Sequence, residues 1–155
     1  MKIVVISDSH GNSIGIDKIF QNIKFDYLFY LGDGLNDLGN YIFLDNVFAV
    51  SGNCDFFSDY PNEREFNLNN IKFLITHGNR YFVKKSLSYL QEKAILENID
   101  FVFYGHTHNK MVDSCNGSYL INPGSFHKDS FGKSKGLILD IKSKTDLKID
   151  DLIID

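Results

Sequence analysis

Short apolar runs alternate with segments of helical periodicity over the first two thirds of the chain. Residues 3–6 are all apolar and predict a buried strand, whereas residues 14–24 repeat apolar side chains at helical spacing. Continuous apolar strands that alternate with helices are typical of a parallel or mixed sheet with both faces covered. The predicted strands lie at residues 3–6, 27–31, 47–50, 63–68, 71–76 and 101–104, and the predicted helices at residues 14–24, 35–44 and 84–98.

The last third of the chain is typical of consecutive antiparallel strands. Asn116-Gly117 separates two strand-like runs and predicts a two-residue hairpin turn. A late series of hairpins suggests a second sheet. We therefore predict an α/β fold, or an α+β fold with a large mixed sheet, in a single domain over residues 1–155. The predicted strands of this region lie at residues 109–115, 118–122, 135–141 and 147–154.

The composition is that of an ordinary globular protein. The 155 residues include 16 basic and 20 acidic side chains, which gives a net charge of −4. This charge argues against a protein that binds nucleic acid polymers, and no apolar run is long enough to predict a membrane span.

Two cysteines do not make a disulfide framework, which favours a reduced, cytoplasmic location. Lys128, Lys133 and Lys135 alternate with acidic residues and are interpreted as solvated side chains.

A metal-capable side chain follows five of the apolar strands. In α/β sheets the ligand crevice lies at the carboxyl ends of the strands, so five such ends on one edge would bring these side chains together. Four of the five histidines of the chain belong to this set. Glycines precede three of its members and would let the backbone pass close to a metal ion. The set comprises Asp8, His10, Asp33, Asn53, His77, His106 and His108.

This combination of side chains predicts a binuclear metal centre. Imidazole and carboxylate together suit Mn, Zn, Fe or Ni, whereas Mg or Ca would favour oxygen ligands alone. Seven ligands are too many for one tetrahedral ion and suit two ions that share a bridging carboxylate. Two such ions can bind the attacking and leaving oxygens of an in-line displacement at phosphorus, and the acidified bridging water becomes the nucleophile.

The order of these motifs resembles that of the calcineurin-like metallophosphoesterases. More narrowly, it is similar to the small single-domain phosphodiesterases of the YfcE type. The motifs extend from residue 8 to residue 125, so the resemblance covers nearly the whole chain. The resemblance rests on Asp8-Ser9-His10, Gly32-Asp33, Gly52-Asn53-Cys54-Asp55, His77-Gly78, Gly105-His106-Thr107-His108 and Asn122-Pro123-Gly124-Ser125.

The resemblance implies a fold, an activity and a role for each ligand. The fold would be two mixed β-sheets packed face to face as a sandwich, with helices on the outside. The activity would be hydrolysis of a small phosphodiester by a hydroxide that bridges two divalent ions, with Mn²⁺ favoured and Zn, Fe or Ni as alternatives. The first ion would be held by Asp8, His10 and His108, the second by Asn53, His77 and His106, and Asp33 would bridge both. The catalytic charge stabilisation would come from Asn53, His77, His106 and Asp33 together with the ions.

The sequence departs from larger members of the superfamily at Cys54, where they have a histidine that is thought to steady the phosphate or protonate the leaving group. A thiol is a poor general acid beside two metals, so we expect a preference for diesters with good leaving groups. A plain packing role for Cys54 is the alternative.

Asn79 could face the substrate or cap a turn, and Arg80 could reach a phosphate or lie on the surface. Asp55 could orient a ligand or lie in a loop.

Two other functions share this fold or this chemistry. The retromer subunit Vps29 resembles the small branch in fold but is a protein-binding scaffold, and such a scaffold could retain metal. Competent residues at all seven ligand positions favour an enzyme. A nuclease that acts on polymers would need a basic groove or a stacking platform, and the sequence pattern shows neither. Aromatic residues make up 14% of the chain, which leaves room for an interaction surface or a homo-oligomer contact.

Overall fold

The computed structural model describes residues 1–56 and 58–155 and contains two mixed five-stranded sheets. The strands of the first sheet lie in the order β10-β9-β1-β2-β3, and those of the second in the order β4-β5-β6-β8-β7. The predicted sandwich of two mixed sheets is confirmed. The strands are β1 (Lys2–Ile6), β2 (Tyr27–Tyr30), β3 (Val47–Ala49), β4 (Glu63–Leu68), β5 (Ile71–Thr76), β6 (Phe101–Tyr104), β7 (Lys110–Cys115), β8 (Ser118–Pro123), β9 (Ser134–Ile141) and β10 (Leu147–Ile154).

The late hairpins do not form a sheet of their own, which corrects the expectation from the sequence. Strands β7 and β8 extend the second sheet beside β6, whereas β9 and β10 join the first sheet beside β1. The reason is that β1 is buried on both faces, so its backbone groups need partners along both edges. Strand β2 supplies one edge in parallel and β9 supplies the other in antiparallel register, with Val4 opposite Ile138.

The helical segments are shorter than the sequence pattern predicts. Helix α1 (Ser13–Asn22) begins where the Asn12 side chain accepts a hydrogen bond from the Gly15 backbone N–H at 3.1 Å. Helix α2 (Ser88–Leu96) replaces the predicted helix over 84–98. The segment Leu35–Phe43 consists of 3₁₀ turns that are interrupted by the non-helical backbone of Gly39. Neither α-helix has the length and apolar character that a membrane crossing requires, as far as the described residues extend.

The main core lies between the two sheets and is rich in phenylalanine. Phe29 of β2 is fully buried there, and four phenylalanine rings surround it at centroid distances of 5.3–5.7 Å. Two smaller cores lie on the outer faces, where α1 covers the first sheet and α2 covers the second. Both faces of each sheet are therefore packed, which leaves the carboxyl ends of the parallel strands as the open edge.

We expect Phe29→Ala to lower the free energy of unfolding by about 3–5 kcal/mol, because it removes the central ring of the aromatic cluster and leaves a cavity. Urea unfolding followed by circular dichroism measures this loss. Phe131→Ala is the matched control, since Phe131 is 85% exposed and its loss leaves no cavity. Equal effects of the two substitutions would contradict this account of the core.

Candidate metal centre

The predicted ligands meet where the carboxyl ends of the two sheets face each other. The sequence pattern suggested one sheet edge, but β1, β2 and β3 belong to the first sheet and β5 and β6 to the second. Two hydrogen bonds join the sheets at this point. The His106 backbone N–H donates to Asp8 Oδ2 at 3.1 Å, and the His77 ring bonds the Leu31 carbonyl oxygen at 2.8 Å. The centre is therefore a junction between sheets.

Five of the seven predicted ligands have a left-handed backbone. Their φ angles lie between 43° and 66°, a region that side chains other than glycine seldom adopt. Each such residue costs roughly 1 kcal/mol or more unless its surroundings hold it. This conformation turns each strand end sharply, so that the side chain enters the junction. The five residues are Asp8, His10, Asp33, His106 and His108.

Two glycines make the close approach of the strand ends possible. A Cβ atom at Gly52 would overlap Asp33 Oδ1, and one at Gly105 would overlap Ser7 Oγ. Ser7 Oγ in turn donates to Asp8 Oδ2 at 2.5 Å. The glycines that the sequence places before Asn53 and His106 therefore leave room for the neighbouring carboxylates.

Asp8 has one carboxylate oxygen that is buried without a hydrogen-bond donor. Its Oδ2 accepts hydrogen bonds from Ser7 and His106, whereas Oδ1 has no donor in the described part of the chain. Asp8 Oδ1 lies 3.1 Å from Nε2 of His108 and 3.9 Å from Nε2 of His10. Those two Nε2 atoms are themselves 3.5 Å apart. An unpaired buried carboxylate oxygen beside two imidazole nitrogens fits a divalent cation.

A second group of potential ligands surrounds the His77 ring. The Leu31 carbonyl can only accept, so the proton of neutral His77 lies on Nδ1 and Nε2 has a free lone pair. That Nε2 is 3.1 Å from Asn53 Oδ1 and 3.2 Å from His106 Nδ1. Atoms about 2.1 Å from a shared ion lie roughly 3.0–3.5 Å from one another. These separations suit a common metal ion.

Asp33 lies between the two groups. Its Oδ2 is 3.3 Å from His77 Nε2, and its carboxylate also lies within 4.8 Å of potential ligand atoms of His10 and Cys54. Burial by itself would raise the pKa of Asp33, but a hydrogen bond from His77 in its protonated form and one from the Cys54 backbone N–H hold that pKa well below its usual range. Asp33 is therefore an ionised carboxylate that can face both groups at once.

Neighbouring groups shift the pKa values of His77 and His106 in opposite directions. Burial would lower the pKa of His77, but the hydrogen bond with Asp33 and the charges of Asp8 and Asp33 raise it overall. Burial and the neighbouring His77 lower the pKa of His106. Because the two facing ring nitrogens are 3.2 Å apart, either a proton or a cation must lie between them.

Asp55 organises the backbone at the ends of β2 and β3. Its carboxylate accepts four backbone hydrogen bonds at 2.8 Å, from the N–H groups of Asp33, Gly34, Leu35 and Gly52. These bonds fix the loop that presents Asp33 against the loop that presents Asn53. The structure thus places Asp55 behind the potential ligands.

Of the remaining predicted site residues, Cys54 lies beside the potential ligands His10 and Asp33. Cys54 is exposed, and its Sγ atom lies 3.4 Å from the Asn53 side-chain nitrogen. Partial burial and the carboxylate of Asp33 raise the pKa of Cys54, so it is a neutral thiol at pH 7. Asn79 and Arg80 lie in a 3₁₀ turn after His77, where Asn79 is half-buried and Arg80 is exposed. The structure does not bring Arg80 into the ligand cluster.

Several buried side chains that support the centre were not recognised from the sequence. The Asn122 amide donates to the Gly105 carbonyl at 2.8 Å and to Thr107 Oγ1 at 3.1 Å, which braces the loop before His108. Ser125 Oγ donates to the Asp8 carbonyl at 3.0 Å. The motif that contains Asn122 and Ser125 was visible, but these contacts span 15 residues or more and have no local pattern.

Comparison with known proteins agrees with this geometry. Residues 1–144 match the model of the calcineurin-like phosphoesterase superfamily domain. The chain is 30% identical to the probable metallophosphoesterase YsnB of Bacillus subtilis over 127 residues, which cover 81% of this chain and 75% of the relative. It is 29% identical to a phosphodiesterase of Methanocaldococcus jannaschii over 145 residues, which cover 80% of this chain and 83% of that protein.

Solved structures show the same architecture. A Streptococcus pneumoniae protein, described as a predicted phosphoesterase, is 26% identical and superposes with a TM-score of 0.85 over 97% of this chain and 88% of its own. Wild-type Vps29 of Entamoeba histolytica, complexed with Zn²⁺, is 17% identical with a TM-score of 0.74 and 99% coverage of both chains. At that identity the second likeness concerns the fold alone.

We expect Asp8→Asn to stabilise the metal-free protein by about 1 kcal/mol, because it removes a buried charge whose Oδ1 has no donor. The same substitution should remove the stabilisation by the ion beside Asp8. At a hundredfold excess over Kd, one bound Mn²⁺ ion should add about 3 kcal/mol to the free energy of unfolding, and the variant should lack this contribution. Chemical unfolding with and without Mn²⁺ measures both effects.

Asp45→Asn is the control for this experiment, since Asp45 is an exposed carboxylate in the turn before β3. It should respond to Mn²⁺ as the wild type does. A variant at Asp8 that is less stable without metal, or that gains as much from Mn²⁺ as the wild type, would contradict the proposed role of this carboxylate.

Proposed function

The chain belongs to the calcineurin-like phosphoesterase superfamily, and we propose that it is a binuclear-metal-dependent phosphodiesterase that hydrolyses a small phosphodiester. The observation that supports this most directly is the pair of ligand groups that meet at Asp33. One group is built on the unpaired oxygen of Asp8 and the other on the free Nε2 of His77. This arrangement suits two cations close together, which is what phosphodiester chemistry of this kind requires.

The proposed ligands follow these two groups. Asp8, His10 and His108 would hold one ion, Asn53, His77 and His106 the other, and Asp33 both. Two divalent ions bound there supply an acidified water and positive charge at phosphorus. Mn²⁺ is the proposed native metal. A cytoplasmic location is also proposed, since Cys54 and Cys115 are both free thiols.

The residues of the chain hold this arrangement before substrate arrives. The Leu31 carbonyl fixes the His77 tautomer, and Asp55 fixes the backbone that presents Asp33. The Asn53 amide lies beside His77, where it can bind an ion through its oxygen and donate from its nitrogen to a phosphoryl oxygen. Such preorganised donors lower the barrier because they need not reorient as charge develops.

We expect the metal-depleted protein to hydrolyse bis-p-nitrophenyl phosphate only after Mn²⁺ is added, and faster than p-nitrophenyl phosphate. Asp33→Asn should lower kcat/KM on the diester by roughly 10³-fold or more, since it removes the carboxylate that lies between the two groups. Initial rates and the metal content of the same samples provide the test, with Asp45→Asn as the control.

The outcomes separate the enzyme from the scaffold. Metal-dependent turnover that is lost in Asp33→Asn supports the phosphodiesterase. Two bound ions without turnover on either ester would favour a Vps29-like protein-binding scaffold that retains metal. An Asp33→Asn protein that keeps two ions and full turnover would overturn the assignment of Asp33.

The thiol of Cys54 accounts for the proposed diester preference, because a protonated thiol beside the centre cannot supply an imidazolium charge. We expect Cys54→His to increase kcat/KM for alkyl phosphate monoesters by about 10-fold or more relative to bis-p-nitrophenyl phosphate. Cys54→Ser, which is also neutral, should leave the ratio unchanged. An unaltered dependence on the leaving group in Cys54→His would show that this position does not set the preference.

A further inference from the structure

A basic groove opens directly beside His108. It has a volume of about 470 Å³ and lies between the start of β9, the end of β10 and the loop that follows β8. Four lysines line it, although the chain as a whole has a net charge of −4. Three of them lie within residues 128–135, and the fold brings Lys110 beside them. The lysines are Lys110, Lys128, Lys133 and Lys135.

Two of these lysines are neutralised by the protein and two are not. Lys110 forms an ion pair with Asp151 at 2.5 Å, and Lys135 forms one with Asp129 at 2.9 Å. Within residues 1–56 and 58–155, no carboxylate lies within 4.0 Å of the Lys128 or Lys133 ammonium group. The groove therefore presents two uncompensated positive charges to an incoming molecule.

A closed backbone turn over residues 129–133 lies between Lys128 and the side chain of Lys133. The Asp129 N–H donates to the Lys133 carbonyl at 2.8 Å, and the Lys133 N–H donates to Asp129 Oδ1 at 3.0 Å. The Phe131 N–H donates to the same carboxylate oxygen at 2.9 Å. The two free lysines are thus adjacent to the ends of one hydrogen-bonded turn. Both side chains are exposed, as the sequence suggested, and their backbone is held by this turn.

The groove lies next to the candidate metal centre, and His108 belongs to both. His108 lines the groove, and its Nε2 is also the nitrogen 3.1 Å from Asp8 Oδ1. The His127 N–H donates to the Asp8 carbonyl at 3.0 Å, and the His127 ring lies 6.3 Å from the His10 ring. A substrate whose phosphorus is at the centre can therefore extend one arm past His108 and His127 to the lysines.

A recess on another side of the candidate centre is lined by apolar and acidic residues and not by the lysines of the groove. It has a volume of about 640 Å³ and lies beyond His10 and Cys54, and its lining residues include two acidic ones, Asp37 and Asp55. Phe43 and Phe56 also line it, and each is 78% exposed. An anionic group is disfavoured near these carboxylate and apolar surfaces, so the charge of the walls sets the direction in which an asymmetric diester binds.

We propose that the substrate is a phosphodiester with a second anionic group, of the phosphate class, on one arm, and that Lys128 and Lys133 bind this group. This inference rests on the proposed function and specifies its substrate class. The groove is large enough for one phosphorylated sugar and is closed on two sides by strands, which suits a small substrate. The two ammonium groups act on binding and do not contact the reacting phosphorus.

The test compares two chromogenic esters that differ by one phosphate. Thymidine 5′-(p-nitrophenyl phosphate) is the reference, and the same ester with a 3′-phosphate carries the second anion. With Mn²⁺-loaded wild type, we expect kcat/KM to be about 10-fold higher for the 3′-phosphorylated ester, mainly through a lower KM. The double variant Lys128→Ala/Lys133→Ala should lose this preference and keep the wild-type kcat/KM on the reference ester. High salt should reduce the preference in the wild type.

The matched control is Lys24→Ala/Lys142→Ala. Both residues are exposed and lie near the amino ends of β2 and β1, at the opposite edge of the first sheet. This variant has the same net charge as the test variant but should retain the preference. Loss of the preference in both double variants would mean that overall charge, and not the groove, is responsible, which would overturn the proposal.

The remaining outcomes distinguish failure of the lysine site from failure of the proposed phosphodiesterase function. Metal-dependent hydrolysis with equal kcat/KM for both esters would overturn the lysine site and leave the proposed function intact. If no ester is hydrolysed, the proposed function fails, and titration calorimetry with thymidine 3′,5′-bisphosphate decides on the groove. Binding that weakens about 10-fold in Lys128→Ala/Lys133→Ala would support it, and unchanged binding would overturn it. Much tighter binding of oligothymidylate would contradict a small substrate.

Discussion

The buried carboxylate of Asp8 is the constraint on which the candidate site depends. One oxygen accepts hydrogen bonds from Ser7 and His106 and so joins the first sheet to the second, while the other has no donor among residues 1–56 and 58–155. An unpaired buried carboxylate oxygen costs free energy that the protein must offset elsewhere. The phenylalanine core between the sheets provides much of that stability, and it also fixes the two sheet edges at the distance where the ligands meet.

The left-handed backbone of five predicted ligands also serves the junction between the two sheets. A strand that ended gradually would direct successive side chains to opposite faces of its sheet, and few could reach the junction. A residue with positive φ turns the chain within one step and directs the side chain across the gap. Asp55 and Asn122 hold these turns through backbone hydrogen bonds, so the strained conformations are maintained by groups that do not themselves bind an ion.

The sequence was sufficient for the strands, for the family and for the clustering of the predicted ligand side chains, because each depends on a local pattern. An apolar run predicts a strand, and a polar side chain after it predicts the carboxyl edge. The allocation of strands to sheets was not local: β9 joins β1 because both edges of β1 need partners. The contacts of Asp55 and Asn122 and the lysine groove were also missed, since each arises from residues that only the fold brings together.

The fold alone does not decide between an enzyme and a scaffold, because zinc-complexed Vps29 of Entamoeba histolytica shares it at 17% identity. The energetically unfavourable groups of the chain bear on whether the centre binds cations and whether an anionic substrate lies beside it. A protein that needed only an interaction surface would be more stable with a neutral residue in place of Asp8 and with relaxed backbone at His10 and His108. These costs are understandable where the groups bind cations. The uncompensated lysines beside the same centre are also understandable where a substrate supplies the missing negative charge.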